Sequence, residues 1–93
     1  MTLEQIIEYI NYRIKDMNSY ISNNPYCDNP IDTINNTESQ CFGVVDFAIK
    51  NEYVEYTDIN DEWWRFLDYF RNRRNEVRNE LRQKKRNDKE SMA

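Results

Sequence analysis

Leu3, Ile7, Ile10, Ile14, Met17 and Ile21 recur at alternating spacings of four and three residues, which places them along one seam of an α-helix. Thr2 and Gln5 stand just ahead of this seam in capping-box spacing. Their hydroxyl and amide can therefore satisfy backbone N–H groups that have no partner in a first helical turn. The pattern predicts a helix over residues 3–21. Ser22-Asn23-Asn24-Pro25 ends it, because proline offers no N–H and disfavours helix in the residue before it.

Two helix openings follow in quick succession. Asn29-Pro30-Ile31-Asp32 has a capping Asn, a Pro in the first turn and an Asp near the positive end of the dipole, and Thr37-x-x-Gln40 repeats the capping-box spacing. The apolar pattern favours a main body from Glu38 to about Tyr53, with the residues before Glu38 forming either a short turn or an early start. In that body Cys41, Phe42, Val45, Phe47, Ala48 and Ile49 cover a wide face, as expected of a central helix covered from two sides. Gly43 inside it costs roughly 1 kcal/mol relative to Ala, for which close approach of another helix is the usual compensation.

Tyr56-Thr57-Asp58 predicts the next break, and a third helix then runs from about Ile59 to about Arg86. Its seam is Trp63, Leu67, Phe70, Val77 and Leu81, interrupted by Arg74. Acidic residues at its start and Lys84, Lys85 and Arg86 at its end complement the helix dipole. These patterns predict an all-α fold, a small three-helix domain with a long, basic, amphipathic C-terminal helix. Helices 3–21 and 59–86 are expected as antiparallel partners with the 38–53 helix packed across them. Residues 1–88 form a single domain in this reading, and residues 89–93 a frayed tail without an apolar anchor.

Composition agrees with this class. With 39% apolar and 14% aromatic content, 93 residues suffice for one core, and a single Gly with two Pro is too few for a turn-rich β chain. No stretch approaches the roughly 18 apolar residues of a membrane span, and Met1–Ile10 holds Glu4 and Glu8 where a secretory signal would be basic. A cytoplasmic protein is therefore expected, with Cys27 and Cys41 unpaired thiols rather than a disulfide. Frequent Asn with Ile, Tyr and Lys suits an AT-rich genome, such as that of a low-GC bacterium or its phage.

Charge is divided along the chain. Residues 1–62 hold 12 Asp/Glu against 3 Lys/Arg, whereas residues 63–93 hold 10 Lys/Arg against 5 Asp/Glu, so the overall −4 conceals a strong dipole. Three surfaces carry candidate chemistry. On helix 1, Glu4, Glu8, Tyr9, Tyr12 and Asp16 make an acidic face bearing tyrosines, suited to a basic groove on another protein. In the run Trp63-Trp64-Arg65-Phe66-Leu67-Asp68-Tyr69-Phe70, adjacent residues diverge by about 100° on a helix, so Trp64 and Tyr69 fall to the flanks and are candidate contact anchors. Arg71, Arg73, Arg74, Arg78, Arg82 and Lys85, interleaved with Asn, are candidate nucleic-acid contacts. Glu76 and Glu80 interrupt them, and they point around the helix rather than along one side.

Catalysis has little to build on. The chain has no His, no Gly-rich phosphate loop and no cysteine spacing that suits a metal, so no catalytic residue, metal or cofactor is assigned. The leading expectation is a non-enzymatic protein-binding module. By analogy of size and composition it is a phage or mobile-element inhibitor of host nucleic-acid machinery, anti-CRISPR-like in character, using its acidic face. The alternatives are a DNA- or RNA-binding accessory protein acting through the basic helix, and a structural oligomer or phage assembly factor. The third helix, roughly 42 Å at 1.5 Å per residue, outruns the other two, and a homodimer through Val77 and Leu81 would occupy its free end.

Overall fold

The computed structural model describes residues 1–24 and 29–92, with side chains placed through residue 86. It is all-α: α1 spans Leu3–Asn23, α2 spans Pro30–Lys50 and α3 spans Tyr56–Met92. Cys27, and with it the question of a disulfide, lies outside the described residues, as do the side chains of the expected tail at residues 89–93.

Each helix start has a local cause. The Thr2 hydroxyl accepts from the Gln5 N–H at 3.2 Å and the Gln5 side chain accepts from the Thr2 N–H at 2.9 Å, closing the capping box. Asn29 caps α2, its Oδ1 accepting from the Asp32 N–H at 3.2 Å, and Pro30 takes the first turn, where a missing N–H costs nothing. The earlier opening therefore prevails, and α2 begins eight residues before Glu38. Thr37 sits mid-helix, buried, its hydroxyl donating to the Thr33 carbonyl at 2.9 Å.

The second connection also differs from expectation. Helix α2 ends at Lys50, and Tyr56-Thr57-Asp58 opens α3 instead of forming the break. Tyr53 N–H donates to the Ala48 carbonyl at 2.9 Å and Glu52 N–H to the Ile49 carbonyl at 3.1 Å, the paired bonds of a Schellman motif, with Glu52 left-handed at φ 60°. The Phe47 and Tyr53 rings, 6.1 Å apart, supply the apolar contact that accompanies this turn. Val54 is buried beneath it, and Asp58 accepts from the Glu55 N–H at 3.3 Å to start α3.

The chain runs up, down and up. Arg74 of α3 reaches Glu38 of α2 and Trp63 reaches Phe42, so α2 and α3 are antiparallel. Asn18 of α1 meets Tyr69 and Arg73 of α3, and further along Ile21 shares a rim with Val77 and Leu81. Residue numbers thus rise together along α1 and α3, which are parallel and not the antiparallel pair expected. Two short connections each reverse the chain, and two reversals restore its direction. Helix α2 is the shared neighbour, while α1 and α3 touch least.

The core joins Ile6, Ile10 and Met17 to Ile34, Cys41, Val45 and Ala48 and to Ile59, Phe70 and Val77. Each large apolar side chain so buried contributes on the order of 1.5–3 kcal/mol. On α1 Ile6, outside the seam, is buried as fully as Ile10 and Met17, and Ile7 is only half-buried, because a helix facing two neighbours needs a stripe wider than a strict heptad seam. On α2 the expected broad face is narrower: Phe42 and Phe47 are exposed. Gly43 also faces open space, since a Cβ there would meet nothing within 4 Å, so close helix approach does not explain it. Val77 is buried in the chain's own core, leaving only Leu81 of the proposed dimer seam half-exposed. The whole measures 60 × 21 × 16 Å because α3, 37 residues long, outruns its 21-residue partners.

Candidate protein-docking surface

Residues four apart on a helix stack along one ridge, and Glu4, Glu8, Tyr12 and Asp16 form such a ridge on α1. All four are exposed, Tyr12 by 65%, and Tyr9 flanks them. Asp16 lies 3.5 Å from Arg13, whereas Glu4 and Glu8 make no ion pair among the described residues. Parallel packing places this ridge's N-terminal half at the same end of the bundle as the start of α3 and the α2–α3 turn. Glu52, Glu55, Asp58 and Asp61 join it there. Lys50 is held by Asp46 at 2.9 Å and Arg65 by Glu62 at 3.1 Å. The result is an end rich in uncompensated carboxylates.

The tryptophan and tyrosine of the aromatic run go to different places. Trp64, 54% exposed, lines a groove of about 380 Å³ between α2 and α3 with Phe42, Asp46, Ile49, Tyr56, Trp63 and Leu67, and no α1 residue takes part. Tyr69 instead accepts from Asn18 Nδ2 at 2.7 Å, beside the Asn18 oxygen that accepts from Arg73 Nε at 3.0 Å. The seven candidate partner contacts therefore occupy three places: the α1 ridge, the α2/α3 groove and an α1–α3 cross-link. The 100° step between neighbours indicated that Trp64 turns outward, but nothing in the pattern of α2 distinguished Phe42 from its buried neighbours.

The basic candidates divide too. Arg74, the polar interruption of the α3 seam, is 19% exposed and pairs with Glu38, 24% exposed, with Asn35 Oδ1 accepting at 3.4 Å. Arg73 lies 3.2 Å from Glu76 and Arg71 3.8 Å from Asp68. These arginines join or brace helices. Arg78, Arg82, Lys84, Lys85 and Arg86 are exposed and without an ion-pair partner among the described residues; Arg78 follows buried Val77 and Lys84 still borders Ile21, Asn24 and Pro30, so these cations flank the far end of the bundle and lead into the length of α3 beyond it. Acidic aromatic surface at one end and exposed cations at the other give the molecule a long dipole.

Cys41 is fully buried, and burial pushes its thiol up to about 11, against a smaller opposite pull from Arg13 and an added push from Glu38. It is a core residue with the wrong ionisation for a nucleophile. No group of three or more potential metal ligands occurs among the described residues, and no described helix is long and apolar enough to cross a membrane. No protein family, curated protein or solved structure matches the chain.

Proposed function

We propose that this is a non-enzymatic binding module that occupies a basic surface on a partner protein with its acidic, aromatic end. The observation that carries the reading is the gathering of Glu4, Glu8, Glu52, Glu55 and Asp61 with exposed aromatic rings at one end of a parallel α1–α3 pair. Carboxylates supply long-range steering and reject acidic partners, and rings supply contact area that carries affinity. A clustered polyanion of this kind competes best for surfaces that ordinarily hold nucleic acid. That chemistry supports inhibition of a host's nucleic-acid-handling machinery by a small cytoplasmic protein.

Affinity capture from cells that encode the chain, followed by mass spectrometry, tests this with two variants. Glu4→Gln with Glu8→Gln is expected to lose a partner that the wild type retains, and Arg78→Gln with Arg82→Gln and Lys85→Gln to keep it. The reverse result refutes the reading. A second reading has its own support in the exposed cations of the α3 end, which have no ion-pair partner among the described residues, whereas Arg71, Arg73 and Arg74 each have one. Under it, a gel shift with a short duplex weakens steeply between low and moderate salt and vanishes in the triple variant.

A further inference from the structure

The α2/α3 groove was not among the surfaces singled out by sequence pattern, and it differs in character from the α1 ridge. Phe42, Val45 and Ile49 form one bank and Tyr56, Ile59, Trp63 and Leu67 the other, with Trp64 at the lip. Phe42 and Trp64 are each more than half exposed, although Phe42 already packs against Trp63 at 6.0 Å between ring centroids. The space runs along α3 from Tyr56 to Leu67, twelve residues or about 16 Å, which is three turns of a helix. An apolar trough of that length between two antiparallel helices is shaped for a third helix laid alongside them.

Charge selects among possible occupants. Asp46, paired with Lys50, lines the groove itself; Asp61 and Asp68, the latter 3.8 Å from Arg71, stand one turn before and after Trp64 on α3; and Glu52, Glu55 and Asp58 lie in and beside the turn that joins the two banks. Across residues 42–67, which build both banks and the turn, there are six carboxylates against one lysine and one arginine. A cationic flank is therefore complementary and an acidic one repelled, and Lys or Arg side chains can also lie over the exposed ring faces. The chain's own basic arm fits poorly, because from Arg82 to Lys89 it has no apolar residue with which to fill the trough.

We infer that the α2/α3 groove is a docking site for a basic amphipathic helix of a partner protein, about three turns long, whose apolar anchors at i, i+4 and i+7 seat against Phe42, Trp63 and Trp64. This rests on the reading of the protein as a binding module and specifies the form its partner takes. Affinity comes from burying the aromatic side chains, and selectivity from the carboxylate rim.

Fluorescently labelled fourteen-residue model helices test it by anisotropy: LKKLLKLLKKLLKL, the same peptide with Glu for Lys, and the same peptide with Ala for Leu. The Leu–Lys helix is expected to bind and shift the tryptophan emission to the blue. The Glu form should bind at least tenfold more weakly, and the Ala form should produce no emission shift. Phe42→Ala with Trp64→Ala, both at exposed positions and checked for fold by circular dichroism, should weaken the Leu–Lys helix at least tenfold. Unchanged affinity in that variant overturns the inference, as does equal binding of the Glu form. Loss of binding on Glu4→Gln with Glu8→Gln, while the groove variant still binds, overturns the groove and leaves the proposed function standing. A peptide of residues 76–92 binding as tightly as the Leu–Lys helix also overturns it, in favour of a second copy of the chain.

Discussion

Replacing Gly43 with Ala isolates one backbone term. Gly43 lies inside α2 with a right-handed φ, and a Cβ there meets nothing within 4 Å. The added methyl neither clashes nor packs, so the change reduces to the difference in helix propensity, about 0.9 kcal/mol in favour of Ala. An unfolding entropy of about 2.1 cal/mol/K per residue over 93 residues is roughly 0.2 kcal/mol/K, which converts this to a rise in Tm of about 4–5 °C. Thermal melts followed at 222 nm provide the first measurement, and urea titration the second, with an increased midpoint and an unchanged slope. Gly43→Ser should fall between Gly and Ala. A Tm that stays level or drops in Gly43→Ala refutes the reasoning, because it requires the Cβ to meet something the structure places elsewhere.

Three further outcomes follow from the same reading. Glu52→Gly should raise stability by about 0.5–1 kcal/mol in urea titration, since Glu52 holds a left-handed φ that costs a residue with a Cβ about 1–2 kcal/mol and glycine's greater freedom in the unfolded chain returns part of it. Glu38→Gln and Arg74→Met, combined in a double-mutant cycle, should show a coupling of about 1 kcal/mol, above that of an exposed pair because both side chains are mostly covered; additivity within error would remove this ion pair from the account of α2–α3 packing. In a Cys27→Ser background, Cys41 should resist iodoacetamide at pH 8 until the protein unfolds. Its folded thiol holds a proton up to about 11 while the unfolded thiol loses it near 9, so stability is fully present below pH 9 and declines as pH rises through 11.

Much of the local structure could be read in the chain. Thr2 and Gln5 announced α1, Asn29 and Pro30 announced α2, and the three- and four-residue spacings located three helices, because capping and helical period depend on residues a few positions apart. The true start of α2 was visible in Asn29-Pro30 yet competed with Thr37-x-x-Gln40; in the fold Asn29 caps the helix and the burial of Ile34 and Thr37 adds a tertiary reason for residues 30–37 to belong to it. Arg74 was recognisable as an interruption of the α3 seam, but its reason, Glu38 on another helix, was not.

Which faces meet is a different kind of fact. Helical period says that a residue lies on a face, and the direction of each neighbour decides whether that face is covered. Tertiary structure alone made α1 and α3 parallel and so set Glu4 and Glu8 at the same end of the bundle as Glu55 and Asp61. It alone turned Phe47 to fasten the Glu52 turn with Tyr53, and left Phe42 at the edge of an open groove with Trp64. The chain by itself determined three amphipathic helices with opposite charge at its two ends, since those properties are summed over neighbouring residues. The position of those charges and rings relative to one another depends on contacts between residues tens of positions apart, and so belongs to the assembled bundle.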